Sequence, residues 1–406
     1  MKKFKKWISL LLCLTMAAFP MTACSGGTGG ESSEASSSPA VSESSAEPET
    51  GESSTAESSA EEQSDTIMVI DHADNEVTVP REIDRVVVTD IYPLASVLTV
   101  FLGSAEKLVG IHPVSMSAAE SGLLGEIFPE ILNAETGFMT GSDLNIEELL
   151  MLDPDVVFYT AGNTELKSAL DNAGIPAVGV SPSKWDYDIL ETYDQWIALL
   201  SQIFPEHAKT DMISEYSQEI YDMVQERVAD IPEEEKKEIL FLFQYSDQQM
   251  ITSGKNFFGQ FWAEAVGGHN AAEEVEADNS NAVISMEQVY QWNPDVIFIT
   301  NFTPVQPEDL YQNAIGGDDW SSVEAVKTQQ VYKLPLGTYR SYTPSADTPV
   351  TLLWMAQKVY PELFEDIDIT AEVRDYYQEL YGIELTDEQI DRMYNPSSSA
   401  ADGFQS

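Results

Sequence analysis

The 406-residue chain is 43% hydrophobic and 10% aromatic, enough apolar material for one large or two medium cores once flexible ends are set aside. It carries 69 acidic against 20 basic side chains, a formal net charge of −49, and four of its lysines, Lys2, Lys3, Lys5 and Lys6, sit together at the start. That balance excludes nucleic acid as a partner, because neutralising phosphates needs clustered Lys and Arg, and it disfavours adhesion to anionic lipid.

Residues 1–23 read as an export signal: the basic start MKKFKK, an apolar run from Trp7 to about Phe19, then small residues before Cys24. The run is too short to span a bilayer comfortably. Of the two cysteines, Cys13 lies in that run and would leave with it, so no disulfide can form within one mature chain. Met21-Thr22-Ala23-Cys24 resembles the bacterial lipobox, which implies a lipidated Cys24 and an extracytoplasmic protein held at the cell membrane through that lipid. Residues 24–64 are built almost wholly from Ser, Glu, Gly, Ala, Thr and Pro. Such a stretch cannot bury enough surface to offset its ordering entropy, so a disordered, self-repelling tether is expected. Residues 396–406 read as a second frayed end.

The folded body is expected from Asp65. Thr66 to Pro80 alternates as a hairpin around Ala73-Asp74-Asn75, and Arg85 to Asp90 supplies a buried strand. Leu144 to Thr160, LNIEELLMLDPDVVFYT, returns 140 residues later as Ile284 to Thr300, ISMEQVYQWNPDVIFIT, without a gap. In each copy an amphipathic helix is stopped by Pro154 or Pro294, Asp155 or Asp295 follows, and a fully apolar strand begins. Apolar strands fed by helices imply a sheet covered on both faces. The expectation is therefore an α/β protein of two similar lobes, residues 65–203 and 232–395, each with a central sheet flanked by helices. Between them, Glu206 to Asp230 carries Met212, Ile213, Tyr216, Ile220, Met223 and Val224 on one stripe, which predicts a single long interlobe helix over 204–231. A ligand cleft would then lie at the carboxyl ends of the strands.

Several stretches, in this order, resemble the substrate-binding proteins of cobalamin and ferric-siderophore ABC importers. They are REIDRVVV followed by Tyr92-Pro93; the duplicated segments; Ala161-Gly162-Asn163-Thr164-Glu165; Thr252 to Lys255 with Gly267-Gly268-His269-Asn270; and Ala325-Val326-Lys327 leading to Val331-Tyr332. The resemblance implies a monomer whose two lobes clamp a metal chelate with modest hinge motion. It also implies that one rim glutamate per lobe, Glu165 and Glu308, docks into the permease dimer. The local sequence around Glu308 departs from the family pattern.

Candidate cleft residues come from strand-end loops: Tyr92, His112, Met139, Thr140 and Tyr159 in the first lobe, and Gln244, Tyr245, Phe257, Asn301, Tyr339, Arg340 and Tyr342 in the second. Aromatic faces suit a bulky chelate, and a few polar groups would orient it. The expected ligand is an iron-siderophore-type chelate, with a corrinoid or haem as the alternative; the transported ligand would contain Fe or Co, and no cofactor of the protein's own is expected. With six arginines in the mature chain, a highly charged catecholate complex is not favoured over a hydroxamate. His112 and Met139 could serve as axial ligands, although a lone His near a strand end is more often a structural hydrogen-bonding group.

A bare zinc or manganese binder would need convergent His and carboxylate ligands, whereas only His112 of the four histidines is near the expected cleft. The chain has no Gly-x-Ser-x-Gly elbow, P-loop, catalytic Cys or His-Glu-x-x-His helix, so it does not read as an enzyme. A glycosidase-type carboxylate pair stays open on motif alone, because acids are everywhere.

Overall fold

The computed structural model describes residues 65–277 and 282–404; the expected export signal, Cys24 and the tether expected over 24–64 lie outside them. β1 (Thr66–Ile70) and β2 (Glu76–Pro80) form the expected antiparallel hairpin, with Val69, Val77 and Val79 turned into the core. Its turn is closed by Asp71, whose Oδ1 accepts from the amides of Ala73 (2.9 Å) and Asn75 (2.8 Å). The other carboxylate oxygen accepts from Gly179 N at 2.9 Å, which fastens the hairpin to the first sheet.

That sheet contains β3 (Val86–Val88) and β4 (Leu108–Ile111). After a small hairpin, β5 (Met139–Thr140) with β6 (Asp143–Leu144), come β7 (Val156–Thr160) and β8 (Ala177–Val180). The strand order β4-β3-β7-β8 is parallel throughout. Val86, Val88, Phe158 and Val178 face one core and Val87, Val157 and Tyr159 face another, which is why every residue of β3 had to be apolar.

The second sheet is built from β9 (Glu238–Tyr245), β10 (Met250–Thr252), β11 (His269–Asn270), β12 (Ala282–Ile284), β13 (Val296–Ile299) and β14 (Val331–Lys333). Its order is β12-β10-β9-β13-β14, with β11 on β9 and with β9, β13 and β14 parallel. It too separates two cores, one around Phe241 and Phe298, the other around Leu240 and Ile297.

The sequence duplication has a physical counterpart. The helices Ile146–Met151 and Met286–Trp292 each feed the central strand of a lobe, β7 and β13. Asp155 Oδ2 accepts from Asp84 N (2.8 Å) and Arg85 N (2.9 Å), pinning the entry to β3. Asp295 Oδ2 accepts from Glu238 N at 3.0 Å, pinning the entry to β9. The Pro-Asp pair therefore stops a helix and caps the neighbouring strand in both lobes.

The connecting helix is Thr210–Val228, 19 residues, or about 28 Å at 1.5 Å per residue. It is shorter than the expected 204–231: the preceding helix, Ile189–Ile203, stops at Phe204, and Pro205–His207 makes a separate 3-10 turn. Pro205 supplies no amide hydrogen to carry one helix into the other. Along the helix, Ile213 packs into the first-lobe core while Ile220, Val224 and Val228 pack into the second-lobe core.

A further helical layer, Thr348–Val359, Ile369–Tyr381 and Asp387–Tyr394, covers the second lobe and also holds Leu123 of the first. The reading of 396–406 as frayed fails over 396–404. Ser398–Ala401 forms a 3-10 turn with Ala400 and Ala401 buried, because Arg340 and Ser121 bond to the segment's carbonyls and Phe404 packs against the second-lobe core.

His72 gives the hairpin dock a pH signature. Its Nδ1 accepts from Ser181 N (3.2 Å), its ring meets Trp185 edge-on, and burial, aided by Lys184, holds its pKa down to about 4. Unfolded, it would protonate near 6.5, so the folded state loses stability as the pH falls from about 6.5 through 4. Thermal melts should show a smaller Tm drop between pH 7 and pH 4.5 in His72→Asn than in the wild type; equal drops would contradict this.

Candidate functional site

The loop after β13, Thr300 to Val305, is pinned from beneath. Lys333 ends β14 with its ammonium buried, donating to the carbonyls of Thr300 (2.9 Å), Thr303 (2.6 Å) and Val305 (2.8 Å). Burial pushes its pKa down to about 7, and the three carbonyls compensate for the water the ammonium has lost. Asn301 spends both amide hydrogens on the carbonyls of Leu334 (2.8 Å) and Pro335 (2.9 Å), while its buried Oδ1 has no partner.

The following loop, Gly337 to Asp347, is organised by a buried carboxylate. Asp347 Oδ2 accepts from Thr338 N and Oγ1, both at 2.9 Å, and Oδ1 accepts from Tyr377 Oη. Desolvation raises its pKa, and the hydrogen bonds from Tyr377 and Thr338 oppose that rise. What it positions is Tyr339 and Arg340.

Arg340 is fully buried, yet every acceptor it has is neutral. Nε donates to Asn301 O (3.1 Å) and Ala400 O (2.9 Å). Nη1 donates to Val114 O (3.2 Å) and Tyr339 Oη (3.4 Å), and Nη2 to Ser117 Oγ (3.3 Å) and Asp402 O (2.9 Å). Val114 and Ser117 belong to the first-lobe helix Pro113–Ser121, so this second-lobe cation is shared across the seam. Phe302 and Tyr339 flank the guanidinium, with ring centroids at 5.5 and 5.4 Å.

From the first lobe, Tyr92 reaches the second-lobe core half-buried and packs against His112, with ring centroids 4.5 Å apart and tilted by 44°; desolvation, then the neighbouring Tyr339, raises its pKa. His112 caps the helix Pro113–Ser121: Nδ1 accepts from Val114 N (3.1 Å) and Nε2 lies 3.0 Å from Gly141 O. Both ring nitrogens are therefore engaged, and burial lowers the pKa. On the second-lobe side, Phe243, Phe257, Phe302 and Tyr342 form one aromatic patch.

Of the twelve expected cleft residues, the structure thus brings together Tyr92, His112, Phe257, Asn301, Tyr339, Arg340 and Tyr342. Met139 and Tyr159 are instead core residues beside Val87 and Leu166, and Thr140 is exposed on the β5–β6 hairpin. Gln244 is half-buried on β9. Tyr245 lies on the opposite face, where its Oη donates to Asp318 (2.7 Å) and accepts from Trp320 Nε1 (3.0 Å). A register shift against Ile251 and Thr252 breaks the alternation of β9 just before it, which no strand pattern could reveal. Lys333, Phe302, Ser117 and Asp347 were not singled out by sequence; the lone Lys in Val331-Tyr332-Lys333-Leu334 was the available signal.

Glu165 and Glu308 are both exposed, each the second residue of a short helix following a central strand, Thr164–Ala173 after β7 and Pro307–Tyr311 after β13. A separate groove of about 870 Å³ runs beside Glu308, with Tyr311, Trp354, Lys358 and Tyr394 in its walls; neither Arg340 nor any first-lobe residue lines it. Among the described residues, no three His, Cys, Asp or Glu side chains converge as a metal cage.

A family profile described as periplasmic binding protein matches residues 88–336. The chain belongs to the periplasmic binding protein family. It is a solute-binding protein of the ABC-importer class and not an enzyme. A periplasmic solute-binding protein from Veillonella parvula, whose crystal structure is known, superposes on this binding protein with a TM-score of 0.72 at 30% identity, covering 81% of this chain and 97% of that one. The molybdate-binding protein MolA of Haemophilus influenzae is 25% identical over 334 residues, 77% of this chain and 90% of its own length. The Fe(3+)-citrate-binding protein YfmC of Bacillus subtilis is 22% identical over 294 residues, 72% of this chain and 86% of its own.

Removing the Lys333 ammonium strands three carbonyls at the seam. Lys333→Met should lower the unfolding free energy by about 3 kcal/mol, read as a reduced denaturant midpoint, since breaking buried charge-assisted bonds costs on this order. An unchanged midpoint would show that the carbonyls do not depend on Lys333.

Proposed function

We propose that this binding protein captures an anionic, oxygen-rich metal complex of the iron-siderophore type in the interlobe seam and delivers it to an ABC permease. One observation carries the reading: Arg340 is a buried guanidinium, shared between the lobes, whose six acceptors are all neutral. A cation held this way favours an anion arriving with acceptor oxygens, and guanidinium geometry suits carboxylates and hydroxamates. The aromatic patch beside it offers a surface for the organic part of a chelate, and the free Asn301 Oδ1 could accept from a ligand donor. Two relatives are named for molybdate and for ferric citrate, both metal-bearing oxygen anions, which supports the same chemistry.

Haem or a corrinoid fits less well. An axial ligand from His112 would have to break the cap on Val114 or the contact with Gly141, and Met139 is buried in a core. A bare ion is disfavoured by how the histidines are used: His72 faces Ser181, His207 lies beside Glu206, and His269 pairs with Glu233 at 3.2 Å.

Docking through Glu165 and Glu308 completes the proposal, with the protein acting as a monomer tethered through a lipidated Cys24. The two acids occupy equivalent helix positions at the carboxyl ends of equivalent strands, so they would mark matching points on the two lobes. Charge pairs so placed would fix the register of docking and speed encounter.

Tryptophan-fluorescence titration with ferric citrate, a hydroxamate siderophore complex and molybdate tests the ligand reading. Arg340→Gln should weaken the bound member by about a hundredfold, as loss of a buried charged partner does. Unaltered affinity would remove Arg340 from the site. Separately, Glu165→Lys with Glu308→Lys should leave that affinity intact and abolish uptake in cells; normal uptake would rule out the docking assignment.

A further inference from the structure

Two of the six acceptors around Arg340, Ala400 O and Asp402 O, belong to the chain's own 397–404 segment. We infer that this segment is a built-in occupant of the solute site, a strap that the ligand must displace, and that its contacts mirror the chemistry of that ligand. The inference rests on the seam reading given above.

Three groups of contacts carry it. The carbonyls of Ala400 and Asp402 each accept from the Arg340 guanidinium at 2.9 Å, the shortest of its six bonds. Phe404 lays its ring against Phe302, with centroids 4.6 Å apart and crossed at 63°, and reaches Phe243 at 6.4 Å. Toward the first lobe, Ser121 Oγ donates to Ser399 O at 3.2 Å, and Gly403 is pressed against Ser117. The strap therefore meets the cation, the aromatic patch and both lobes together.

A backbone carbonyl is a weak stand-in for a carboxylate or hydroxamate oxygen, since an ionised acceptor makes a charge-assisted bond roughly twice as strong. The geometry thus specifies an incoming molecule with two acceptor oxygens for the guanidinium and an adjoining apolar or aromatic part for the Phe302 and Phe243 faces. While the strap is seated, the competent site is only fractionally available, and apparent affinity falls by that fraction. Such an arrangement would keep the site dry and would raise the ligand concentration needed for loading.

Gly403 gives a way to unseat the strap without substituting the cation or the aromatic patch, although the clash falls on Ser117, whose Oγ also accepts from Arg340. Its φ is +77°, and a Cβ there would fall 2.5 Å from Ser117 Oγ and 2.7 Å from Ser117 Cβ. In full-length Gly403→Val, hydrogen exchange should accelerate across 399–404 while the sheets stay protected. Affinity for ferric citrate or molybdate, whichever the wild type binds, should rise about tenfold. Phe404→Ala serves as a second release variant. A freed strap with unchanged or weaker affinity would overturn the proposal, because a mere latch holding the lobes together predicts that outcome. So would full protection of 399–404 in both variants.

A labelled peptide of sequence SSSAADGFQS, added to Gly403→Val and read by fluorescence anisotropy, needs no solute at all. Saturable binding that disappears when Arg340→Gln is added supports the strap, even if neither metal anion binds and the ligand reading has failed. No peptide binding by folded Gly403→Val overturns it.

Discussion

Burying a guanidinium among neutral acceptors is costly, since carbonyl and hydroxyl oxygens recover only part of what water provided. The second lobe is shaped around doing so at one point, Arg340. Asp347 fixes the loop that carries it, Lys333 fixes the loop that supplies Asn301 O, and the helix Pro113–Ser121 brings Val114 and Ser117 from the other lobe. Asp347 and Lys333 are themselves buried and bonded, Val114 is buried and Ser117 half-buried, so the cation sits in a rigid setting. Rigidity matters for capture: with these supporters fixed, the 397–404 segment is what has to move when a ligand arrives, and less affinity is lost to ordering the side chains around the cation.

The duplication explains why such a point exists. Two copies of a helix, Pro-Asp stop and apolar strand place a parallel central strand in each of two sheets, with loops of the same kind at the carboxyl ends. The helix Thr210–Val228 buries one end in each lobe's core, so the lobes cannot swing far without exposing Ile213 or Val224. Leu123 N donating to Gly337 O at 2.9 Å adds a direct backbone tie between the lobes. Small motions about these ties, rather than wide hinge opening, are what the packing permits.

The architecture was largely legible in the sequence because it rests on local rules: Val86-Val87-Val88 can only suit a two-faced sheet, and Asp-bearing Pro stops recur at a fixed spacing. The site was only partly legible. Tyr339, Arg340 and Asn301 could be placed from strand ends, but Tyr245 was turned away by a register shift that leaves no mark on composition. Met139 and Tyr159 went to the core because aromatic and thioether side chains serve packing as readily as recognition. The 396–404 segment was hidden for another reason. Its Ser-rich composition looks solvated, and the residues that hold it, Arg340, Phe302, Ser121 and Ser117, are distant in sequence.

The central claim, that a metal-bearing anion is held at the Arg340 seam, is tested most directly by anomalous scattering from crystals grown with ferric citrate or molybdate. The account predicts one strong metal peak between the helix Pro113–Ser121 and the Asn301–Phe302 loop, with ligand oxygens on the Arg340 guanidinium and the 399–404 backbone displaced. A peak in the Glu308–Lys358 groove, with Arg340 still bonded to Ala400 and Asp402, would contradict it.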